Sequence, residues 1–338
     1  MDTTTYIPVA VDQILVPHHM FNKAKDRIEN HLLAAQSYQE PICIAVIGDS
    51  RAGKSRLLEN ISKKYSKVRT ADGVIIPMIS IKTPAKPTVK GLVEIMLREI
   101  GDPLWFKRGS ETEKTEQLYI LLKQAQTHTL IIDEFQHFYD KVSHKVQHYL
   151  SDWLKNFVDR TGLMIIVAGL PDCMAVINQN EQLRGRFLAP IHMPRFVWGT
   201  AEQCEEFMDC LESFQLGLSR YDFPELGSEE VAFRFFCATG GLIGYIAKIL
   251  YIACLNAQMA NTQIITMHDL AKAYEEAVWM DEVTPMMNPF SEDFDASPVE
   301  YLLKMAKQVG TACPEVSKPR ATKSRKSDLP SAASVLAA

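Results

Sequence analysis

Several common signatures are missing from this chain, and each absence excludes a class. No stretch reaches the roughly 18 to 20 uninterrupted apolar residues a membrane helix needs. The opening MDTTTYIPVAVDQ has no basic region followed by an apolar run, so no span or leader is expected and the cytoplasm is the expected location. The seven cysteines (Cys43, Cys173, Cys204, Cys210, Cys237, Cys254 and Cys313) are odd in number, scattered and without a CxxC pair. A zinc knuckle and a disulfide framework are thereby set aside, and reduced, packed thiols are expected. An excess of one charge is lacking too: 36 Lys and Arg stand against 41 Asp and Glu, a net charge of -5. Any contact with nucleic acid must come from a local basic surface rather than from the average field. There is no GxSxG elbow, and His144 and His148, four apart, have Lys145 where a zinc hydrolase carries glutamate. No internal repeat is present.

What is present is a globular composition, 47% hydrophobic and 23% charged over 338 residues, enough for two domains or for one large α/β unit with a helical appendage. Ile42 to Ile47 is a continuous β-branched run, the pattern of a strand buried on both faces of a parallel sheet. Similar runs recur at Val74 to Ile79, Leu130 to Ile132 and Leu163 to Val167. Helical stripes lie around and between them. Phe21 to Leu33 is amphipathic. Thr88 to Ile100 ends at Gly101, and Ser110 with Glu113 reads as a capping box. Ser143 opens a stripe of Val146, Tyr149, Leu150, Trp153, Leu154, Phe157 and Val158 before Gly162. The alternation predicts a doubly wound α/β domain.

From about Ala201 the strand runs stop and helices follow one another: Ala201 to Leu216, Ser228 to Cys237, Gly241 to Gln258 and Thr266 to Val278. The expected organisation is a leading segment with one helix over 1–40, an α/β nucleotide-binding core over 41–200, a small all-helical lid over 201–280 and a tail over 281–338. The tail is first acidic, with six acids and no base in 281–300, then basic from Lys318 to Lys326, and its last 25 or so residues are expected to be disordered.

Two motifs carry chemistry. Gly48-Asp49-Ser50-Arg51-Ala52-Gly53-Lys54-Ser55 fits GxxxxGK[ST] directly after the strongest strand run and before the helical pattern opened by Arg56. Backbone N–H groups of such a loop approach phosphate oxygens, Lys54 neutralises β/γ charge, and the Ser55 hydroxyl ligates Mg²⁺. The second motif is Thr129-Leu130-Ile131-Ile132-Asp133-Glu134, an apolar strand ending in two carboxylates: Asp133 for the Mg²⁺ shell and Glu134 as general base toward the attacking water. Together they predict an ATPase site. Gln182-Leu183-Arg184-Gly185-Arg186-Phe187, after the fourth strand, offers Arg184 or Arg186 to complete a neighbour's site, and the pattern does not separate the two.

Beyond these motifs the chain resembles the AAA+ ATPases of the TniB/TnsC type over roughly residues 12 to 290. The likeness rests on Ile14-Leu15-Val16-Pro17-His18-His19, Asp133-Glu134-Phe135-Gln136-His137-Phe138, Ala168-Gly169-Leu170-Pro171, Gln182 to Phe187, Thr239-Gly240-Gly241-Leu242-Ile243-Gly244 and Asn288-Pro289-Phe290. The resemblance implies an ATP-dependent homo-oligomer, a ring or helical filament, on double-stranded DNA without sequence preference. It also implies contact with a TniQ-type target-selection protein and a DDE-type transposase. Two departures stand out: Ala168-Gly169 ends the fourth strand where many AAA+ proteins carry a polar sensor, and the lid offers Lys248 where many carry arginine. Slow hydrolysis is therefore expected, and an arginine supplied in trans would make it depend on assembly. By the same resemblance the region toward the DNA would hold Lys86, Thr88, Lys90, Lys107, Arg108 and Ser110 as phosphate contacts. The rival readings are a replication loader or signalling ATPase, a small-molecule kinase, and an adaptor that binds ATP with little hydrolysis.

Overall fold

The computed structural model of the chain describes residue 11 and residues 14–35, 40–71, 73–84, 87–140, 143–278 and 287–311. Helix α1 (His19–Ala35) precedes strand β1 (Cys43–Ile47), and α2 (Lys54–Lys63) follows it. A short antiparallel hairpin, β2 (Val68–Thr70) with β3 (Gly73–Ile75), stands apart from the main sheet. Strand β4 (Met78–Lys82), helices α3 (Val89–Ile100) and α4 (Glu111–Gln124) and strand β5 (Thr129–Asp133) come next. After them run α5 (His137–Asp140), α6 (His144–Thr161), β6 (Met164–Gly169), α7 (Met174–Ile177), α8 (Glu181–Arg186) and β7 (Ile191–His192). The five sheet strands are parallel in the order β4-β5-β6-β1-β7. This is the doubly wound core that the strand runs predict.

Alternation along the strands shows why those runs are continuously apolar. In β1, Cys43, Ala45 and Ile47 join the cluster packed under α3, α4 and α6, while Ile44 and Val46 join the one under α1 and α2. Likewise Leu130 and Ile132 of β5 face one layer and Ile131 the other. A strand covered on both faces has no polar side to present.

The second strand departs from expectation. The run Val74 to Ile79 is split by Pro77, whose carbonyl accepts from His128 N at 3.0 Å and Thr129 N at 3.2 Å. Residues before Pro77 turn into the hairpin, and the sheet strand starts at Met78 and continues to Lys82. Proline lacks the N–H that a ladder needs, so it fits at the start of a strand rather than inside it. Tyr149 departs as well: the stripe of α6 places it inward, but it is 53% exposed and its hydroxyl donates to Glu111.

The caps follow the sequence closely. The Thr88 hydroxyl accepts from Gly91 N at 3.0 Å, and Ser110 and Glu113 form the reciprocal box at the start of α4. Among the described residues six cysteines are free thiols, and burial pushes Cys43 and Cys173 up to about 12, as packed thiols should be.

The lid consists of α9 (Ala201–Gly217), α10 (Glu229–Thr239), α11 (Ile243–Met259) and α12 (Met267–Ala277) around their own apolar cluster. Val11 and Val16 of the leading segment are buried in that cluster, so this part of the segment packs under the lid. In the region read as a tail, residues 287–311 pack on the lid. Phe290 is fully buried, α13 (Val299–Ala306) lies against α10, and Arg234 donates to the carbonyls of Pro289 and Ser291. Residues 279–286, which include Asp281 and Glu282, and the basic run Lys318 to Lys326 lie outside the described residues. No single helix among the described residues is long and apolar enough to cross a membrane; α10 and α11 reach that composition only together, bent by 107°, and both supply buried residues to the lid.

Candidate active site

The chain leaves β1 for the far edge strand β4 and works back through β5 and β6 to β1's flank, with β7 on the other side. That reversal opens a crevice at the carboxyl end of β1, where ligands bind in open parallel sheets. The loop from Gly48 to Ser55 fills it. Gly48 N donates to Gly169 O of β6 at 3.3 Å, and Gly53 takes φ 92 as it turns into α2. A residue with a Cβ is strained there, so the glycine of the motif is a backbone requirement.

The two motifs meet. Ser55 Oγ donates to Asp133 Oδ2 at 2.6 Å across 78 residues of sequence, and Asp133 Oδ1 accepts from Glu134 N at 2.8 Å. Asp133 is itself buried at the end of β5, and its backbone carbonyl accepts from both the N–H and the hydroxyl of Thr83. Hydroxyl and carboxylate are hard oxygen donors side by side, the set that suits Mg²⁺ bound chiefly through phosphates. Lys54 Nζ donates to the carbonyls of Gly48 and Asp49 at 2.9 and 2.7 Å. Burial lowers the Lys54 pKa, against the opposing pull of Glu134, Asp133 and Asp49. Arg51 and Glu134, φ 63 and 57, are two of the four non-glycine residues with positive φ among those described, so both motifs hold left-handed backbone where phosphate would sit.

Above the loop lies a cavity of about 480 Å³. One half is polar, from Ser50, Arg51, Lys54, Ser55, Glu134 and Gln136. The other is apolar, from Val11, Ile14, Val16 and Phe21 of the leading segment and Ile243 and Ala247 of α11. Lys248 does not line it. The lid is tied to the loop directly: Gly244 N donates to Arg51 O at 3.0 Å, and the Arg51 guanidinium lies 4.8 Å from the Tyr245 ring centroid.

Among the other residues the sequence singles out, Asp49 does not face the cavity chemistry alone: its carboxylate accepts from Arg195 Nε at 2.7 Å. The same guanidinium reaches the carbonyls of Gly240, Lys307 and Val309. Ala52 is buried, and Arg56 pairs with Glu59 at 2.9 Å. The two candidate arginines on α8 differ. Arg186 is held by Asp159 and Glu40 at 2.9 and 3.0 Å, whereas Arg184 is exposed and pairs with no described residue. Of the proposed DNA contacts, Lys86 lies outside the described residues; Lys107 and Arg108 are exposed beside Phe106, 67% exposed, and Lys90 is half-buried. Thr88 and Ser110 already use their hydroxyl oxygens as caps.

Sequence reasoning missed Arg195, the reach of Gln136 and the apolar half of the cavity. It also missed His18, whose ring lies tilted against Phe196 with centroids 4.9 Å apart; its Nδ1 is buried without a hydrogen bond, 3.9 Å from Glu206 Oε1. Burial, reinforced by His19, lowers its pKa to about 4.

Among solved structures the chain is similar to Cdc6p from Pyrobaculum aerophilum, at 16% identity and a TM-score of 0.59, over 83% of this chain and 71% of that one. It is also similar to the Aeropyrum pernix ORC2 protein, solved as ADPNP–ADP complexes, at 15% identity and TM-score 0.57, over 82% and 71%. The Aeropyrum pernix ORC1 protein in complex with DNA matches at 15% identity and TM-score 0.54, over 80% and 68%. At such identities the likeness is one of fold, that of the P-loop AAA+ ATPases. No curated protein matches the chain significantly. The model of the bacterial TniB protein family matches residues 10–198, from the apolar wall of the cavity through both phosphate-site motifs to the threshold of the lid. Matched over more than half its length, and folded as the motifs require, the chain belongs to the TniB family of P-loop ATPases.

Proposed function

We propose that this chain regulates transposition in the cytoplasm: with ATP it assembles on double-stranded DNA without reading sequence, and it connects a TniQ-type target-selection protein to a DDE-type transposase. The observation that carries the nucleotide part is the 2.6 Å contact between Ser55 and Asp133, which joins the two motifs beneath one cavity. The phosphates lie on the N–H groups at the start of α2, and Lys54 exchanges the carbonyls of Gly48 and Asp49 for phosphate oxygens. Ser55 and Asp133 would hold Mg²⁺, which when bound neutralises β/γ charge. The base takes the apolar half, between Ile14 and Ile243. Glu134 acts as general base on water.

Arg184 rather than Arg186 is the residue offered to a neighbouring copy, because Arg186 is spent on Asp159 and Glu40. A guanidinium supplied in trans contributes about 10³ to 10⁵ in rate, so hydrolysis depends on assembly and is slow without it. Lys90, Lys107 and Arg108 contact DNA phosphates, and binding weakens as salt rises through counterion release. The Aeropyrum pernix ORC1 protein, similar in fold, was solved in complex with DNA, which supports DNA as a ligand. Partners in transposition rest on family membership.

Negative-stain imaging and co-sedimentation with linear duplex test the reading. Long assemblies are expected with a non-hydrolysable ATP analogue and short or none with ADP. Arg184→Ala loses DNA-stimulated hydrolysis while Arg186→Ala keeps most of it. Protein that remains monomeric with duplex and every nucleotide sinks the proposal.

A further inference from the structure

The fourth sheet strand ends in Ala168-Gly169, with no polar side chain to face a nucleotide. The structure brings one there from another element. Gln136, only 7% exposed, sits two residues past Glu134 in the turn between β5 and α5 and reaches across to β6. Its Oε1 accepts from Leu170 N at 3.2 Å, and its Nε2 donates to Glu134 Oε2. The orientation of the amide is fixed by chemistry, since Leu170 N can only donate and an ionised carboxylate can only accept.

The turn is anchored twice more. Phe135 N donates to Ala168 O at 2.9 Å, and the Gln136 carbonyl accepts from Tyr139 N and Asp140 N at 2.8 and 2.9 Å. The missing side chain at the strand end makes room for this. A Cβ on Gly169 would lie 2.7 Å from Gln136 Oε1 and 3.1 Å from its backbone N. Gln136 and Glu134 both line the cavity that holds Lys54 and Ser55. Glu134 itself has left-handed backbone, φ 57, so its own chain conformation is unusual and its side chain has an external tether.

We infer that Gln136 is a positioning residue for hydrolysis: clamped by the Leu170 N–H, it holds the Glu134 carboxylate in place and supplies from the β5–α5 turn the polar link that the end of β6 lacks. The inference rests on Glu134 being the general base. An amide held at its oxygen presents its N–H in one direction, so the carboxylate it meets is confined without a further covalent constraint. A shift of β6 against β5 would move Leu170, then Gln136, then Glu134. Hydrolysis is thereby coupled to the end of the strand that also receives Gly48 N.

The test compares Gln136→Met, which keeps length and removes both hydrogen bonds, with Gln136→Glu, which keeps the acceptor for Leu170 N and loses the donor. Each is measured alone and with Glu134→Gln, by steady-state and single-turnover hydrolysis with duplex present, and by thermal midpoint. The expected result is a fall in kcat on the order of tenfold or more in both variants, a fraction of the roughly 10² to 10⁴ a positioned base contributes. KM for ATP stays within about twofold, and no further loss appears in the Glu134→Gln background, as for residues acting as a unit. Parental kcat in both Gln136 variants, with Glu134→Gln inactive, overturns the inference and leaves the base assignment standing. An equal loss in the Glu134→Gln background also overturns it, because Gln136 would then act elsewhere. Parental hydrolysis by Glu134→Gln overturns the base assignment and the inference together.

Discussion

The polar and apolar halves of the cavity above the Gly48–Ser55 loop are built on different terms. The polar half comes from two short stretches, Ser50–Ser55 and Glu134–Gln136, with Asp133 tied to Ser55 beside them, and its proposed chemistry rests on one lysine, one hydroxyl, two carboxylates and backbone N–H groups. The apolar half comes from residues as far apart as Val11, Phe21, Phe214 and Ile243, brought together by the packing of the leading segment under the lid. The first half requires particular residue types at particular spacings. The second requires only apolar volume at the right place. A point change therefore acts locally in the first and through the placement of whole elements in the second.

That contrast can be broken by mutation. The largest effect is expected from Lys54→Ala. Losing charge-assisted contacts to phosphate should weaken ATP binding on the order of 10² to 10³-fold, about 3 to 4 kcal/mol, in a titration calorimeter, with the circular dichroism of the apo protein unchanged. Gly241→Val, outside the cavity, should lower both the thermal midpoint and the affinity. Gly241 holds φ 73, and a Cβ would lie 2.2 Å from Phe196 O, a conflict of about 3 kcal/mol that displaces the start of α11. If affinity survives that change intact, the lid does not shape the apolar half.

His18 gives a pH-dependent version of the same test. Its pKa, 6.5 when unfolded and about 4 in the fold, means the unfolded chain binds a proton the folded one refuses. The stabilisation is full above pH 6.5, shrinks as pH falls, and is lost by about pH 4, a total of at most about 3 kcal/mol. Denaturant midpoints between pH 7 and 4 should show it, and His18→Phe should flatten that dependence by keeping the contact with Phe196. Smallest is Ile243→Ser, which removes about 1 kcal/mol of apolar contact and should raise the dissociation constant for ATP less than tenfold.

Much of the core was legible because local rules decide it. The continuous apolar runs at Ile42 and Leu130 follow from strands covered on both faces, and the caps at Thr88 and Ser110 from donors that a helix start must satisfy. The sheet strand after Pro77 was misplaced because β-branched residues on both sides of the proline look alike until the N–H it lacks is assigned a role. The acidic composition of 281–300 reads as tail, whereas the apolar residues that anchor this stretch are buried against distant ones: Phe290 against Phe235 and Tyr274, and Phe294 and Leu302 with Phe233 and Cys237 of α10. Arg184 and Arg186 are indistinguishable by pattern, since what separates them is Asp159 and Glu40, distant in sequence.

The sequence by itself determined a phosphate loop, its partner carboxylates and the sheet that carries both, because those features are specified by backbone geometry and short-range spacing. Only the tertiary structure decided which arginine stands without a partner among the described residues, how Gln136 bridges Leu170 to Glu134, and that Val11, Ile14, Val16 and Phe21 wall the cavity with α11. Such contacts depend on where distant surfaces meet, and the burial that brings them together asks for apolar volume rather than for residues at fixed separations.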